Sequence, residues 1–239
     1  MTLPEMEVGM ADKPTVVFVH GFWGGAAHWA KVIVGLNGRG GYALHAVENP
    51  LTSLSDDAER TKKMVNQIDG PVLLVGHSYG GAVITEAGDL PNVIGLVYVA
   101  AFAPDAGESL AEISGWRASP GAANVAPDSD GYLWINQEKF GESFCQDLSE
   151  DEALVMAVTQ KAPVGSTFGD TVSEPAWKTK PVWYQISTED HMINPDTERQ
   201  MAERMKPRET IELAASHASL ASQPTEIVAL IERAVNSLT

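Results

Sequence analysis

Val72-Leu73-Leu74-Val75 is an apolar, strand-like run that stops at Gly76-His77-Ser78-Tyr79-Gly80-Gly81, and a helical pattern, Ala82-Val83-Ile84-Thr85-Glu86-Ala87, follows at once. Strand, sharp turn and helix in that order give Gly-x-Ser-x-Gly the context of a nucleophile elbow, in which the serine takes a strained turn and its hydroxyl stands clear of the sheet edge. The glycines have a steric reason, since a β-carbon at Gly76 or Gly80 would collide with neighbouring strand or helix backbone. Five residues with three fixed recur by chance, so the pattern alone is weak. Its position between a buried strand and a helix gives it weight.

Upstream, Thr15-Val16-Val17-Phe18-Val19 has the continuous apolar character of a strand buried on both faces. It ends in His20-Gly21-Phe22-Trp23-Gly24-Gly25, a loop that can bend tightly and turn amides toward a cavity. The spacing predicts a helix over 27–36 closed by Asn37-Gly38, a strand over 43–47, and a helix from Asp56, with Glu59 completing a cap, to Ile68. Downstream, Asn92 to Ala101 reads as a further buried strand and Val182 to Ile186 as another. A helix over 196–205 with Asp196 at its cap, a short strand over 210–213 and a final helix over 225–237, striped by Ile227, Leu230, Ile231 and Val235, complete the pattern.

Alternating strands and helices imply an α/β fold, a three-layer α/β/α sandwich around a mostly parallel sheet of about six strands. The core falls in 15–102 and 181–239, after a loose leader over 1–14. Between the two halves, 103–180 changes character: prolines, glycines, acidic residues and scattered aromatics replace the alternation, apart from a helix over 150–160. This reads as an insertion that forms a lid or cap. Trp23, Trp134, Phe140 and Phe144 are candidates to line a substrate pocket beneath it.

The chain has 239 residues, 44% of them hydrophobic and 20% charged, as expected of a globular α/β protein. A formal net charge of -16 argues against nucleic acid and anionic membranes as partners. No apolar run reaches the roughly 18 residues of a membrane span, and the first dozen residues lack a secretory pattern, so the expectation is a cytoplasmic protein acting on a small molecule. The single Cys145 excludes an internal disulfide and lacks the basic neighbours of a reactive thiol.

In such a sheet the functional groups gather at the carboxyl ends of the strands. Ser78 ends one strand, the Phe22 loop follows another, Asp190 a third and His217 the last. A serine needs a base within hydrogen-bond reach, and of the six histidines His217 has the place that the order serine, acid, histidine requires. His20 supports its glycine loop, His77 points away from Ser78, and His28 and His45 sit within elements. Asp190 is the acid that would hold the imidazole tautomer, with Asp105, after the preceding strand, as its rival. The oxyanion donors are the amides of Tyr79, next to the nucleophile, and of Phe22, ahead of Trp23.

These segments, His20-Gly21-Phe22-Trp23-Gly24, Gly76 to Gly81, Ser187 to Pro195 and Ser216-His217-Ala218-Ser219, resemble the α/β-hydrolase superfamily. Within it the chain is most similar to small bacterial carboxylesterases related to the plant methyl-esterase and hydroxynitrile-lyase branch. The resemblance implies a Ser78, Asp190, His217 triad, a helical cap, no cofactor and no metal. Ala218 stands where the lyases carry a lysine, and Ser78 where dehalogenases and epoxide hydrolases carry an aspartate. The expected activity is therefore hydrolysis of small apolar or aryl carboxylic esters through an acyl-enzyme. A lactonase, thioesterase or perhydrolase on the same triad, or a non-catalytic binding member of the fold, remain as alternatives.

Overall fold

A computed structural model describes residues 13–239; of the leader expected over 1–14, residues 1–12 lie outside the described residues. In chain order the elements are β1 (Thr15–Val19), α1 (Ala30–Arg39), β2 (Leu44–Val47), α2 (Leu54–Val65), β3 (Val72–Ser78), α3 (Tyr79–Ala87) and β4 (Val93–Ala101). A less regular segment follows, with α4 (Leu110–Ser114), β5 (Val125–Pro127), β6 (Leu133–Ile135), α5 (Phe140–Phe144) and α6 (Glu150–Val158). The chain closes with β7 (Val182–Ser187), α7 (Pro195–Met205), β8 (Glu209–Leu213), α8 (Ser219–Ser222) and α9 (Pro224–Asn236).

Six strands form one sheet in the order β2-β1-β3-β4-β7-β8, and each neighbouring pair is parallel. The side-chain period of two sorts the apolar strand residues between two faces. Val16 and Phe18 of β1, Leu73 and Val75 of β3, and Val97 and Val99 of β4 join the cluster under α1 and α9. Val17 and Val19, Leu74, and Leu96 and Tyr98 join the opposite cluster with α2, α3 and α7. Both faces are covered, which is why these strands read as continuous apolar runs. On α9 the stripe Ile227, Leu230, Ile231 and Val235 is wholly buried, each residue contributing about 2 kcal/mol of apolar burial.

Helix ends differ from expectation where a nearer side chain wins the cap. Ser53, not Asp56, caps α2: it is extended and its hydroxyl accepts from the Asp56 amide at 3.0 Å. Asp56 instead sits in the first turn, where its carboxylate suits the helix dipole. The same helix ends at Val65, and the amides of Gln67 and Ile68 tighten into bonds three residues back. Asn194 rather than Asp196 caps α7, accepting from the Asp196 amide at 3.0 Å. A 3-10 turn over Ala26–Trp29 precedes α1, which runs past Asn37-Gly38 to Arg39.

The segment between β4 and β7 lies against the strand-end loops through specific hydrogen bonds. The Gly121 amide donates to the His191 carbonyl at 2.7 Å, the Ser216 amide to Asp147 Oδ2 at 2.9 Å, and Gln146 Nε2 to the Glu189 carbonyl at 2.6 Å. Trp23 Nε1 donates to the Leu133 carbonyl at 2.8 Å from the β1 side. Among the described residues, no helix is long and apolar enough to cross a membrane.

Candidate active site

Ser78 ends β3 at φ 55 and ψ −126, a left-handed conformation that a serine holds only when its surroundings enforce it, at a cost of about 1–3 kcal/mol. The enforcement is visible at the flanking glycines. A β-carbon on Gly76 would stand 2.5 Å from the Gly80 carbonyl oxygen, and one on Gly80 would meet the Val19 carbonyl oxygen of β1. The turn is thus closed so tightly between strand and helix that Ser78 alone projects. Its Oγ lies 2.8 Å from His217 Nε2.

His217 follows β8 and is fully buried, with its Nδ1 at 2.5 Å from Asp190 Oδ2. Asp190, in the turn after β7, is 2% exposed. Its other oxygen accepts from the amides of Met192 at 2.6 Å and Ile193 at 2.8 Å, so the carboxylate is held from behind while it faces the imidazole. A hydrogen on His217 Nδ1 leaves Nε2 with its lone pair toward the serine hydroxyl.

Two further contacts fix the imidazole. Phe144 meets it edge-on, with ring centroids 4.8 Å apart at 84°. His77, the variable elbow residue, turns away from Ser78 and brings Nε2 within 2.8 Å of the His217 carbonyl. Burial, followed by the nearby His217, depresses the His77 pKa well below the ordinary histidine value, so the ring is neutral and donates this bond from Nε2.

The loop after β1 lies directly over Ser78, because Gly21 has no side chain: a β-carbon there would come within 2.6 Å of Ser78 Cβ. His20 anchors the loop, donating from Nδ1 to the Gly21 carbonyl at 2.8 Å and accepting the Asn49 amide on Nε2 at 2.9 Å. At φ 58 the Trp23 amide is turned away to the Lys161 carbonyl at 3.0 Å and is already paired there. Tyr79 opens α3, where first-turn amides have no partner within the helix. The rings of Phe22 and Tyr79 stack at 3.9 Å and 14°. Tyr79 is tied further by its hydroxyl, which donates to buried Asp57 Oδ2 at 2.6 Å.

A model of the alpha/beta hydrolase family matches residues 16–230 of the sequence. The chain belongs to this family. Methylesterase 8 of Arabidopsis thaliana is 28% identical over 236 residues, 89% of this chain and 86% of that protein. A probable hydrolase of Phoma sp. is 27% identical over 154 residues; the match spans 62% of either chain. Among solved structures, a pyrethroid hydrolase from Sphingobium faniae JZ-2 superposes with a TM-score of 0.79 at 21% identity, covering 93% of this chain and 97% of that one.

In this alpha/beta hydrolase a cavity of about 420 Å³ opens beside Ser78. Phe22, Phe102, Leu133, Phe168, Met192 and Ile193 give it an apolar wall, and Ser78, Ser114 and Ser119 supply hydroxyls to its lining; among the described residues no charged side chain lines it. Of the pocket residues expected from sequence, Trp23 is on this wall. The other three are not. Trp134 is 41% exposed and donates its Nε1 to Asp128 Oδ2 at 2.9 Å, which holds it on the outer surface. Phe140 and Phe144 are buried in the core beneath, stacked on one another at 5.0 Å. Sequence reasoning missed Leu133, Phe168 and the Met192-Ile193 pair. The last two stand two and three residues after Asp190, a signal present in the sequence.

Asp105 is remote in role. It forms a surface ion pair with Lys178 and accepts the Ala106 amide at 2.6 Å. Cys145 is buried, and burial pushes its thiol up to about 12, far from thiolate chemistry. Among the described residues, no group of three or more His, Cys, Asp or Glu side chains is placed to hold a metal ion.

Proposed function

We propose that this chain hydrolyses uncharged carboxylic esters with small apolar or aryl groups, through an acyl-enzyme on Ser78. The observation that carries the reading is the hydrogen-bonded line from Ser78 through His217 to Asp190, opening on a cavity whose described lining is apolar apart from three serines. Ser78 attacks the ester carbonyl while His217 Nε2 takes its proton and Asp190 stabilises the imidazolium. The amides of Phe22 and Tyr79 receive the oxyanion, each supplying on the order of 3 kcal/mol. His217 then returns the proton to the leaving alcohol, and water repeats the sequence on the acyl-enzyme.

Residues 103–180 serve as the cap: they supply Leu133 and Phe168 to the cavity and dock on the strand-end loops by hydrogen bonds. Among the described residues the lining has no cation to pair with a carboxylate, so a neutral acyl or alcohol group suits it better than an anionic one. Similarity to a methylesterase and a pyrethroid hydrolase supports ester chemistry. The test is turnover of a panel of neutral and anionic esters, matched in size, by the wild type and by Ser78→Ala. Preference for the neutral aryl esters, abolished in the variant, supports the reading; preference for the anionic ones, or turnover by the variant, refutes it.

A further inference from the structure

The inner stripe of α7 comprises Glu198, Met201, Ala202 and Met205, at the spacing of a buried helix face. A glutamate in that register is anomalous, and Glu198 is fully buried. Its Oε2 accepts the Ser187 amide at 3.1 Å, and its Oε1 has no hydrogen-bond partner among the described residues if both carboxyl groups here are ionised. Ser187 ties the two residues together, its amide donating to Glu198 and its carbonyl accepting the Asp190 amide at 3.3 Å, and the carboxyl groups of Glu198 and Asp190 face each other as side-chain hydrogen-bond partners. Two negative charges cannot share such a contact away from water, so one proton belongs to the pair.

The surroundings say which partner carries it. Asp190 already accepts three donors, the Met192 and Ile193 amides on one oxygen and His217 Nδ1 on the other, so both of its oxygens already serve as acceptors. Glu198 receives one amide. Among the described residues no cation bonds to it: Arg199, its neighbour on α7, acts on it only from a distance, its guanidinium bonded to Glu212 at 2.7 Å and Asp196 at 2.8 Å at the surface. Tyr184 of β7 gives its hydroxyl hydrogen to the Ala101 carbonyl, and His217 faces Asp190. Burial first, and then the Asp190 charge, hold the Glu198 carboxyl well above the usual carboxylate range.

We propose that Glu198 is a positioning residue which, as a neutral carboxylic acid, donates a hydrogen bond to the Asp190 carboxylate and so fixes the group that orients His217. This rests on the esterase reading above. The shared proton turns the unpartnered Glu198 oxygen into a donor and leaves Asp190 bonded on every side. It also draws charge from the face that Asp190 presents to the imidazole.

The test uses the full chain with Glu198→Gln, which keeps a donor, and Glu198→Met, which keeps the volume without one. Glu198→Gln is expected to retain kcat/KM within about threefold, with the acid limb of its pH profile unmoved. Glu198→Met is expected to lose on the order of tenfold in kcat at little change in KM, the loss of one hydrogen bond to a charged acceptor. Its acid limb should move up by about one pH unit, because an Asp190 relieved of its donor favours the imidazolium more strongly. Infrared difference spectra of wild type minus Glu198→Gln at neutral pH should contain the carbonyl stretch of a protonated carboxylic acid. An acid limb that moves down in Glu198→Gln, or no such band, means an ionised Glu198 and overturns the proposal; so does an unchanged rate and profile in Glu198→Met. If Glu198→Met does not fold, the Gln profile and the infrared band decide between the same two outcomes. Turnover by Ser78→Ala would instead remove the esterase reading while leaving the infrared result standing.

Discussion

Replacing Asp190 by Asn separates charge and tautomer from shape. The carboxylate is held from behind by two amide donors, Met192 at 2.6 Å and Ile193 at 2.8 Å. Only a carbonyl oxygen can accept them, so an Asn side chain at this site keeps its oxygen there and turns its NH2 toward His217 Nδ1, where the carboxylate now sits at 2.5 Å. That NH2 needs an acceptor, which forces the ring hydrogen onto Nε2. Nε2, 2.8 Å from Ser78 Oγ, then donates to the serine and cannot take its proton. The expected loss is about 10⁴-fold in kcat, or about 5 kcal/mol, with KM for a short-chain p-nitrophenyl ester little changed. Asp105→Asn should stay within about twofold, since it removes only an exposed ion pair to Lys178. Steady-state hydrolysis at neutral pH, with circular dichroism to verify folding, measures both. An Asp190→Asn enzyme retaining more than a tenth of the activity, or an Asp105→Asn enzyme falling as far, would refute the reasoning.

Other consequences are equally open to measurement. Gly80→Ala drives a methyl group into the Val19 carbonyl oxygen, backbone against backbone, and should cost about 2 kcal/mol or more, read as a thermal midpoint lower by roughly 4–8 °C. Phe168→Ala opens the cavity wall and should lower kcat/KM for aryl esters by about tenfold, whereas Trp134→Ala on the outer surface should leave it within about twofold. Acid should destabilise the fold: burial holds His28 at about 4 and His77 well below the ordinary value, so below about pH 6.5 the unfolded chain takes up protons that the native state refuses. The stability is complete above that pH and drains away as the pH falls toward 4. For His28, partly exposed, the loss is on the order of 2 kcal/mol, and the midpoint of His28→Gln should depend less on pH across this window.

How much of this was legible depended on whether a residue's neighbours were close in the chain. The strands announced themselves because both sheet faces are covered, and Ser78, the Phe22 loop, Asp190 and His217 could be placed because each abuts the end of a strand. The structure brings three of those four side chains into a single hydrogen-bonded line. The α2 cap was misread because Ser53 and Asp56 both suit a first turn, and only geometry decides which oxygen reaches an amide. The cavity wall was illegible for a stronger reason. Over 103–180 the chain has little periodicity, and the direction of an aromatic is set by single tertiary bonds, such as the one from Trp134 Nε1 to Asp128. Glu198 is the opposite case. Its place on the stripe with Met201, Ala202 and Met205 was a readable signal, yet a lone glutamate in a helix is most often solvated and so drew no notice.

Ser78, activated by His217 at the mouth of the apolar cavity, is the proposed nucleophile. Treating the folded protein with a serine-directed fluorophosphonate, then mapping the modified peptide by mass spectrometry while following residual ester turnover, tests it most directly. The account predicts one adduct per chain, on Ser78, with activity lost in proportion to labelling, and no adduct on Ser78→Ala or at the wild-type rate on His217→Gln. An adduct on another residue, or active protein that turns over ester with Ser78 unmodified after full reaction, would contradict it.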